Sequence, residues 1–343
     1  MSILHDEIYE QPAALRNALE TNQAAVVALA DAIKRLDVRY VVLAARGTSD
    51  NAAIYAKYLL QIVCGIPVAL AAPAVHTLFD AKVNFKNALV IGISQSGAGE
   101  DINEVITQAK CSGALTAAIT NTPNSALAQI ADHVLYCNAG VEKAVAATKT
   151  YTTTLALIAS LVVAWSGDRA LGEKLATIDQ AAQKTLLVED RVRVLAQTLI
   201  HAERLLTVAR GLHLATAIES ALKIAETTSS PTQSFSSADL LHGPIASVAV
   251  RTPCLLFVPK GKTAPVMQEV EEKLAGRGAR VLRFAFDAAP DAVNSIPLTD
   301  PGTELLSPLV DILPTQLLAY HLTVARSLDP DNPRGLSKVT ITR

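Results

Sequence analysis

One strand–turn–helix pattern occurs twice in this chain. The residues around Ala45-Arg46-Gly47 match those around Ala209-Arg210-Gly211 at an offset of 164 positions. At almost the same offset, CLLFVPKGKTAPVMQEVEEKL matches LVIGISQSGAGEDINEVITQA. Agreement at two points, each in the same local context, indicates an internal duplication. A chain of 343 residues built this way is expected to fold as two similar domains rather than around one core.

Short aliphatic segments alternate with helical ones along each half. In the first half they are VRYVVLAA, PVALAAP, NALVIGI, LTAAIT and HVLYC, and each ends at turn residues. Half of the residues are apolar but only 4% are aromatic, which suits buried parallel strands covered by helices. We therefore predict an α/β fold with two tandem domains. Each would be a flavodoxin-like, three-layer αβα arrangement with a parallel β-sheet flanked by helices.

The same pattern sets the expected organisation of the chain. The predicted parts are an N-terminal helical segment (1–35), a first domain (36–168), a helical linker (169–200), a second domain (201–325) and a C-terminal tail (326–343). Apolar spacing predicts one helix over 11–35. The run Leu155–Trp165 predicts a buried core helix, because its eleven residues fall short of the roughly 20 that span a bilayer.

Charge and cysteine content exclude several classes of protein. The net charge is −2, so no basic field exists to hold nucleic acid or an anionic membrane. The four cysteines are widely spaced and form no CxxC pair, which is typical of a reducing compartment. The N-terminal residues have no apolar signal core. We expect a soluble, cytoplasmic protein without a metal or other cofactor.

Two polar motifs follow strands and precede helices in the first half. They are Arg46-Gly47-Thr48-Ser49 and Ser94-Gln95-Ser96-Gly97. In a parallel sheet, ligands bind beyond the carboxyl ends of strands, where helix N-termini and hydroxyl groups can hold a phosphate without lysines. Ordinary helix capping is the alternative interpretation of each motif alone. Together, the motifs favour phosphate binding.

A second group of residues has the equipment for proton transfer. Glu219, Lys223 and Glu226 are spaced i, i+4 and i+7, so a helix would place them on one face. A carboxylate beside an amine can move a proton between adjacent carbons of an open-chain sugar. The alternative is an exposed ion pair with little energetic effect. The otherwise apolar character of this helix favours a pocket lining.

Three further positions have two interpretations each. Thr148 and Lys149, in VAATKT, either contact a sugar phosphate or mark an ordinary loop-to-helix junction with a solvated lysine. His242, in the turn LLHGP, either protonates a ring oxygen or is a structural loop residue. Lys338 either closes over a substrate or is a solvated lysine of the tail.

As a set, the motifs ARGTS, SQSG, VAATKT, ESALKIAE, LLHGP and NPRGLSKVT resemble the sugar isomerase (SIS) domain family in its double-domain form. The resemblance covers about residues 35–343. It is closest to the isomerase half of glutamine–fructose-6-phosphate aminotransferase and, within the family, to SIS-type glucosamine-6-phosphate deaminases. It implies an aldose–ketose type of enzyme that acts on a phosphorylated amino sugar.

The resemblance also implies a role for each matching residue. The sugar phosphate would be held by Thr48, Ser49, Ser94, Gln95 and Ser96, with Val145 lining the sugar through its backbone and Thr148 nearby. Glu226 would shuttle the proton between C1 and C2, with Lys223 moving hydroxyl protons and Glu219 orienting it. His242 would open the ring, and in the family it comes from the partner subunit, which implies a homodimer with a shared site. Lys338 would lie at the substrate carbonyl.

The sequence also departs from the family pattern. Where the synthase has SQSGETAD, this chain has SQSGAGED, so Gly99 replaces a threonine that donates to phosphate and Ala98 replaces a glutamate. Ala147 replaces a serine that faces the sugar. The glutaminase half, with its N-terminal cysteine nucleophile, is missing from this sequence.

These observations predict hydrolytic deamination of glucosamine 6-phosphate to fructose 6-phosphate and ammonia. Two enzymatic alternatives use the same enolisation, namely cleavage of a fructosamine 6-phosphate and deamination or isomerisation of galactosamine 6-phosphate. A phosphosugar-sensing module that lacks catalysis is a third alternative. The complete proton-transfer set, and the absence of a basic segment for binding DNA, argue against it.

Overall fold

The computed structural model describes residues 2–289 and 292–338 and contains two parallel β-sheets of five strands each. The strands of the first sheet are β1 (Tyr40–Ala44), β2 (Val68–Leu70), β3 (Ala88–Ile93), β4 (Leu115–Thr120) and β5 (His133–Tyr136). Those of the second are β6 (Leu205–Ala209), β7 (Thr232–Ser236), β8 (Pro253–Val258), β9 (Arg280–Ala285) and β10 (Ser295–Pro297).

Helices precede, connect and follow the strands. The helices before β6 are α1 (Ile3–Tyr9), α2 (Gln11–Thr21), α3 (Gln23–Arg35), α4 (Thr48–Cys64), α5 (Ala74–Thr77), α6 (Glu100–Cys111), α7 (Ala126–Ile130), α8 (Lys149–Ser166), α9 (Arg169–Leu175), α10 (Ile178–Thr185) and α11 (Glu189–Gln197). Those after it are α12 (His213–Thr228), α13 (Ser237–Leu241), α14 (Ala264–Gly276), α15 (Pro308–Asp311) and α16 (Leu313–Ala325). Two short 3-10 turns cover Leu186–Val188 and Pro244–Ser247.

The two sheets have the same topology. The strand order is β2-β1-β3-β4-β5 in the first and β10-β9-β8-β6-β7 in the second. Counted from the first strand of each sheet, both orders are 2-1-3-4-5, which is the flavodoxin-like order. All pairings are parallel. The predicted fold class and the predicted duplication are therefore confirmed. We refer to β1–β5 with their helices as the first copy, and to β6–β10 with theirs as the second.

Aliphatic strands form the core of each copy. Every residue of β3, β4 and β6 is buried, because helices cover both faces of a parallel sheet. In the first copy, Val90 packs with Ile102 and Ile106 of α6. In the second, Leu256 packs with Val270 of α14 in the same way. This burial fixes the strand ends, and the loops that follow them, in place.

The contacts divide the chain into two compact units whose segments are not continuous in sequence. One unit holds the first sheet and consists of residues 13–142 and 149–176, together with the described residues from 337 onward. The other holds the second sheet and consists of the described residues from 2 to 12, from 143 to 148 and from 177 to 336. The loop 143–148 and helix α1 thus belong with the second sheet, although the sequence places both before it.

The leading helix differs from its prediction. The stretch 11–35 forms two helices, α2 and α3, which meet at Asn22. The Asn22 side chain donates to the carbonyl of Tyr136 at 2.8 Å and accepts from the Tyr136 N–H at 2.9 Å, so it serves the edge of strand β5. The helix is thus interrupted at a residue whose side chain bonds to a strand far away in the sequence. Helix α1 lies within the helical segment predicted for residues 1–35, but before the stretch 11–35 where apolar spacing predicted a helix.

The predicted core helix Leu155–Trp165 lies within α8, and its residues from Leu155 to Ala159 are buried. Among the described residues, none of the helices combines the length and the hydropathy that crossing a membrane requires.

Candidate active site

The first polar loop connects β1 to α4. Gly47 precedes the helix with a φ of +54°, a left-handed conformation that glycine adopts without strain. Thr48 and Ser49 are half-buried and form the first helical turn. Arg46 pairs through Nε with the buried Asp101 of α6 at 2.8 Å, which links this loop to the start of the neighbouring helix.

The second polar loop connects β3 to α6, and its serines shape its own backbone. Ser94 Oγ accepts the Gly97 N–H at 3.1 Å, and Ser96 Oγ accepts the Ala98 N–H at 3.3 Å. Gly97 has a φ of +62°, and a Cβ there would lie 2.2 Å from Ser125 Oγ. Only glycine therefore fits this turn. Ser94, Gln95 and Ser96 are half-buried and partly open to solvent.

Both loops lie at the same edge of the first sheet. Strands β1 and β3 are adjacent and parallel, so their carboxyl ends point in the same direction. Four hydroxyl groups and two helix N-termini meet at this edge, and such a combination attracts an anion. Burial raises the pKa of Asp50, in the first turn of α4, although the Arg46 charge opposes the effect.

Helix α12 carries the predicted proton-transfer residues. The Lys223 ammonium lies 2.6 Å from Glu226 Oε2 and 3.5 Å from Glu219 Oε1. The Lys223 and Glu219 side chains are 3% and 0% exposed, while Glu226 is 23% exposed. The alternative of an exposed ion pair is therefore wrong. A buried ammonium bridges two carboxylates, of which only Glu226 can reach solvent or a substrate.

The VAATKT motif forms a loop followed by the first turn of α8. Val145 is half-buried in the loop, whereas Thr148 is 0% exposed. Lys149 is also buried, and its Nζ donates to the Val141 carbonyl at 2.8 Å. The interpretation of Lys149 as a solvated lysine is therefore wrong. Its ammonium group stabilises the loop through this hydrogen bond to Val141.

Lys338 is held at a specific position in the structure. Its Nζ lies 2.9 Å from Oε2 of Glu142, whose side chain is fully buried. Glu142 also accepts the N–H of Thr150 at 3.1 Å and its hydroxyl at 2.8 Å. The interpretation of Lys338 as a solvated lysine is wrong, because a buried carboxylate that is already hydrogen-bonded fixes the amine.

His242 lies at the C-terminal cap of α13, where its backbone N–H donates to Ala238 and Asp239. Its side chain is exposed.

Sequence reasoning missed two carboxylates next to these residues. Glu142 ends the run Ala139-Gly140-Val141-Glu142, three residues before Val145 of the VAATKT motif, yet no partner was predicted for it. Glu7, on α1, accepts backbone N–H groups from Lys143 and Ala144. The position of Glu142 just before VAATKT could have drawn notice to it. Nothing in the sequence marks Glu7. Among the described residues, no three or more His, Cys, Asp or Glu side chains are arranged to hold a metal ion.

Comparison with known proteins gives matches over nearly the whole chain. The SIS domain profile matches residues 36–164 and 198–326. The glutamine–fructose-6-phosphate aminotransferase (isomerizing) of Thermococcus kodakarensis is 34% identical over 97% of this chain and 56% of its own length. The chain thus spans little more than half of the curated relatives that it matches.

Solved structures match over similar lengths. The C-terminal domain of glucosamine-fructose-6-phosphate aminotransferase from Francisella tularensis has a TM-score of 0.87 at 28% identity, covering 97% of this chain and 98% of that one. The glucosamine-6-phosphate deaminase of Thermotoga maritima has a TM-score of 0.79 at 20% identity, covering 99% and 100%. At that identity, the second likeness concerns the fold.

Proposed function

Because this chain belongs to the SIS domain family, we propose that it deaminates glucosamine 6-phosphate to fructose 6-phosphate and ammonia. The arrangement on α12 is the observation that carries this proposal. Removing charges from water is costly, and a buried ion pair is a poor device for stability. Perturbed, partly enclosed charge clusters are instead frequent at catalytic sites. Glu226 is the accessible member of the cluster and therefore the proposed base.

The proposed reaction moves one proton between two carbons. In the open-chain aldehyde, Glu226 takes the proton from C2 while the C1 oxygen gains a proton, which gives an enolamine. Glu226 then returns its proton to C1, and the nitrogen becomes an imine at C2 by giving up one proton, which balances the proton gained by the C1 oxygen. Water hydrolyses the imine to the ketone of fructose 6-phosphate and releases ammonia. Atoms balance, with one water consumed for each ammonia released.

The other members of the cluster support that base. Lys223, at 2.6 Å, pairs with the Glu226 carboxylate and can exchange a proton with a substrate hydroxyl. Glu219 lies 3.5 Å from Lys223 and is fully buried, so it orients the ammonium without reaching a substrate. We assign Lys223 to hydroxyl proton movement and Glu219 to positioning.

Phosphate binding is assigned to the two loops of the first copy. Thr48, Ser49, Ser94 and Ser96 supply hydroxyl groups beside the N-termini of α4 and α6, and Gln95 lies between the serines. A phosphate dianion is satisfied by such donors without lysine side chains. Val145 is assigned to the sugar through its backbone, and Thr148, three residues further along, is fully buried.

Ring opening and carbonyl contact are assigned to His242 and Lys338. The exposed position of His242 supports a role in a site shared with a partner subunit, and hence a homodimer. The contact with Glu142 at 2.9 Å orients the Lys338 amine, which supports a contact with the carbonyl end of the open chain. We also propose the domain boundaries predicted from the sequence and a cytoplasmic location.

A direct test measures both products with the purified protein. We expect glucosamine 6-phosphate to give ammonia and fructose 6-phosphate in equal amounts. A fructosamine 6-phosphate and galactosamine 6-phosphate, tested in parallel, discriminate the alternatives that use the same enolisation. Release from one of these alone would replace the proposed substrate. Binding of all three without any product would contradict the enzyme and support a phosphosugar sensor.

A further inference from the structure

The loop 143–148 has no regular secondary structure, although it carries Val145, the residue assigned to the sugar. A loop can recognise a hydroxyl group through its main chain only if the orientation of its peptide groups is fixed. Because no helix or sheet ladder fixes this loop, other hydrogen-bonding partners must hold its backbone.

Glu7 supplies such a partner from helix α1. Its Oε1 accepts the Lys143 N–H at 2.5 Å, and its Oε2 accepts the Ala144 N–H at 3.2 Å. Glu7 is 3% exposed, and a carboxylate so buried is tolerated only when hydrogen bonds replace its water. Two consecutive peptide groups are thus fixed by one side chain immediately before Val145.

Helix α1 is itself firmly attached within the same unit. At its start, Asp331 accepts the Ser2 hydroxyl at 2.7 Å and the Leu4 N–H at 2.8 Å. In the same turn, His5 Nε2 lies 2.7 Å from Oε1 of Glu189. The position of the Glu7 oxygens is therefore set by a helix held at several points rather than by a flexible tail.

We propose that Glu7 is a positioning residue, which fixes the main chain of loop 143–148 for recognition of the sugar. The proposal rests on the proposed function, since it takes Val145 as a sugar contact. Glu7 has no part in the proton transfer and does not bind the phosphate. Its loss removes binding that the ground state and the transition state share equally. Such a loss raises KM and leaves kcat nearly unchanged.

The variant Glu7→Gln tests this role with little change in shape. Glutamine keeps one carbonyl oxygen but turns an NH₂ group toward the second peptide N–H, so one of the two hydrogen bonds is lost. We expect KM for glucosamine 6-phosphate to rise about tenfold and kcat to stay within about twofold. Asp6→Asn, an exposed change on the same helix, is the matched control and should leave both values unchanged.

A binding measurement separates this proposal from the proposed reaction. By calorimetry, Glu7→Gln should weaken glucosamine 6-phosphate about tenfold, while the affinity for inorganic phosphate stays the same. This result would support Glu7 even if the wild-type protein released no ammonia. An unchanged KM and an unchanged sugar-phosphate affinity in the folded variant would overturn the proposal. Equal weakening of glucosamine 6-phosphate and inorganic phosphate would also overturn it, because that pattern indicates general structural damage.

Discussion

The two copies have the same strand order but carry different chemistry at equivalent positions. The offset of 164 aligns Glu219, Lys223 and Glu226 of the second copy with Tyr55, Leu59 and Ile62 of the first. Tyr55 and Leu59 are fully buried in α4, as ordinary core residues are. The same helix is thus a packing element in one copy and carries a buried charge cluster in the other.

The loops that follow the strands also differ between the two copies. In the first copy, the hydroxyl groups of the β3–α6 loop are half-buried and partly open to solvent. In the second copy, the equivalent loop is closed by Glu304. Its carboxylate accepts the Lys262 N–H at 2.6 Å and the Thr263 N–H at 3.2 Å, as well as the Thr263 hydroxyl. A Cβ on Gly261 would lie 2.2 Å from that carboxylate.

The other loop of the second copy is closed as well. His213 stands where the first copy has Ser49. Its Nε2 lies 2.9 Å from Oδ2 of Asp311, and both side chains are 1% exposed. Burial raises the pKa of Asp311, an effect that the neighbouring histidine partly offsets. The loops proposed to bind phosphate thus belong to the first copy, and the residues proposed to move the proton belong to the second.

The largest expected effect is on catalysis. Glu226→Gln should lower kcat for glucosamine 6-phosphate by a factor of about 10²–10⁴, because it removes the base and keeps the shape of the side chain. The sugar-phosphate affinity should change little. Product release and calorimetry on one preparation measure both quantities.

The equivalent position of the first copy provides the control. Ile62→Gln changes an exposed side chain of α4 and should leave kcat unchanged. Normal turnover by Glu226→Gln would show that another group is the base.

The next effect concerns the phosphate. Ser96→Ala removes one hydroxyl donor from the first copy, so the affinity for glucosamine 6-phosphate should fall about tenfold. The affinity for inorganic phosphate should fall by a similar factor, because the donor is assigned to the phosphate rather than to the sugar. Titration calorimetry measures both.

Thr263→Val, in the loop of the second copy, should leave both affinities unchanged, since its hydroxyl donates to Glu304. The reverse result, with the threonine variant weakened and the serine variant normal, would transfer the phosphate site to the second copy.

A smaller effect is expected on stability. Glu304→Ala leaves the N–H groups of Lys262 and Thr263 at the start of α14 without their carboxylate. The free energy of unfolding should fall by about 1–2 kcal/mol, as for the loss of a helix cap. Urea unfolding followed by circular dichroism measures this loss.

Glu272→Ala, an exposed change on the same helix, should have little effect on stability. In Glu304→Ala, the affinity for glucosamine 6-phosphate should stay at the wild-type value. A marked loss of that affinity would contradict the interpretation that this loop of the second copy, which Glu304 occupies, does not bind the phosphate.

The smallest effect concerns Gly99, where the synthase motif has threonine. Gly99 has ordinary extended angles, with a φ of −63° and a ψ of 114°. A Cβ there would lie 3.4 Å from Asp101 Oδ1, so a side chain fits. Gly99→Thr should tighten glucosamine 6-phosphate binding about threefold to tenfold by adding one hydroxyl donor. Gly99→Ala adds a Cβ without the hydroxyl, and equal affinity of the two variants would contradict the assignment.

Several parts of the fold and of the site could be predicted because they depend on local spacing. Aliphatic runs that end at Gly and Ser turns predicted the parallel sheets, and the repeat predicted two of them. The spacing of Glu219, Lys223 and Glu226 predicted one face of one helix. The break at Asn22 was missed because its cause is a hydrogen bond to Tyr136, 114 residues further along the chain.

The fold class, the duplication and the polar loops could be predicted from the sequence, since strand and helix periods are properties of neighbouring residues. The tertiary structure alone decided which charges are buried and what they contact. Lys338 meets Glu142 across 196 positions, and Glu7 meets Lys143 across 136. Spacing along a chain contains no information about such pairs. Their partners are chosen by packing, which removes a carboxylate from water only where hydrogen bonds compensate it.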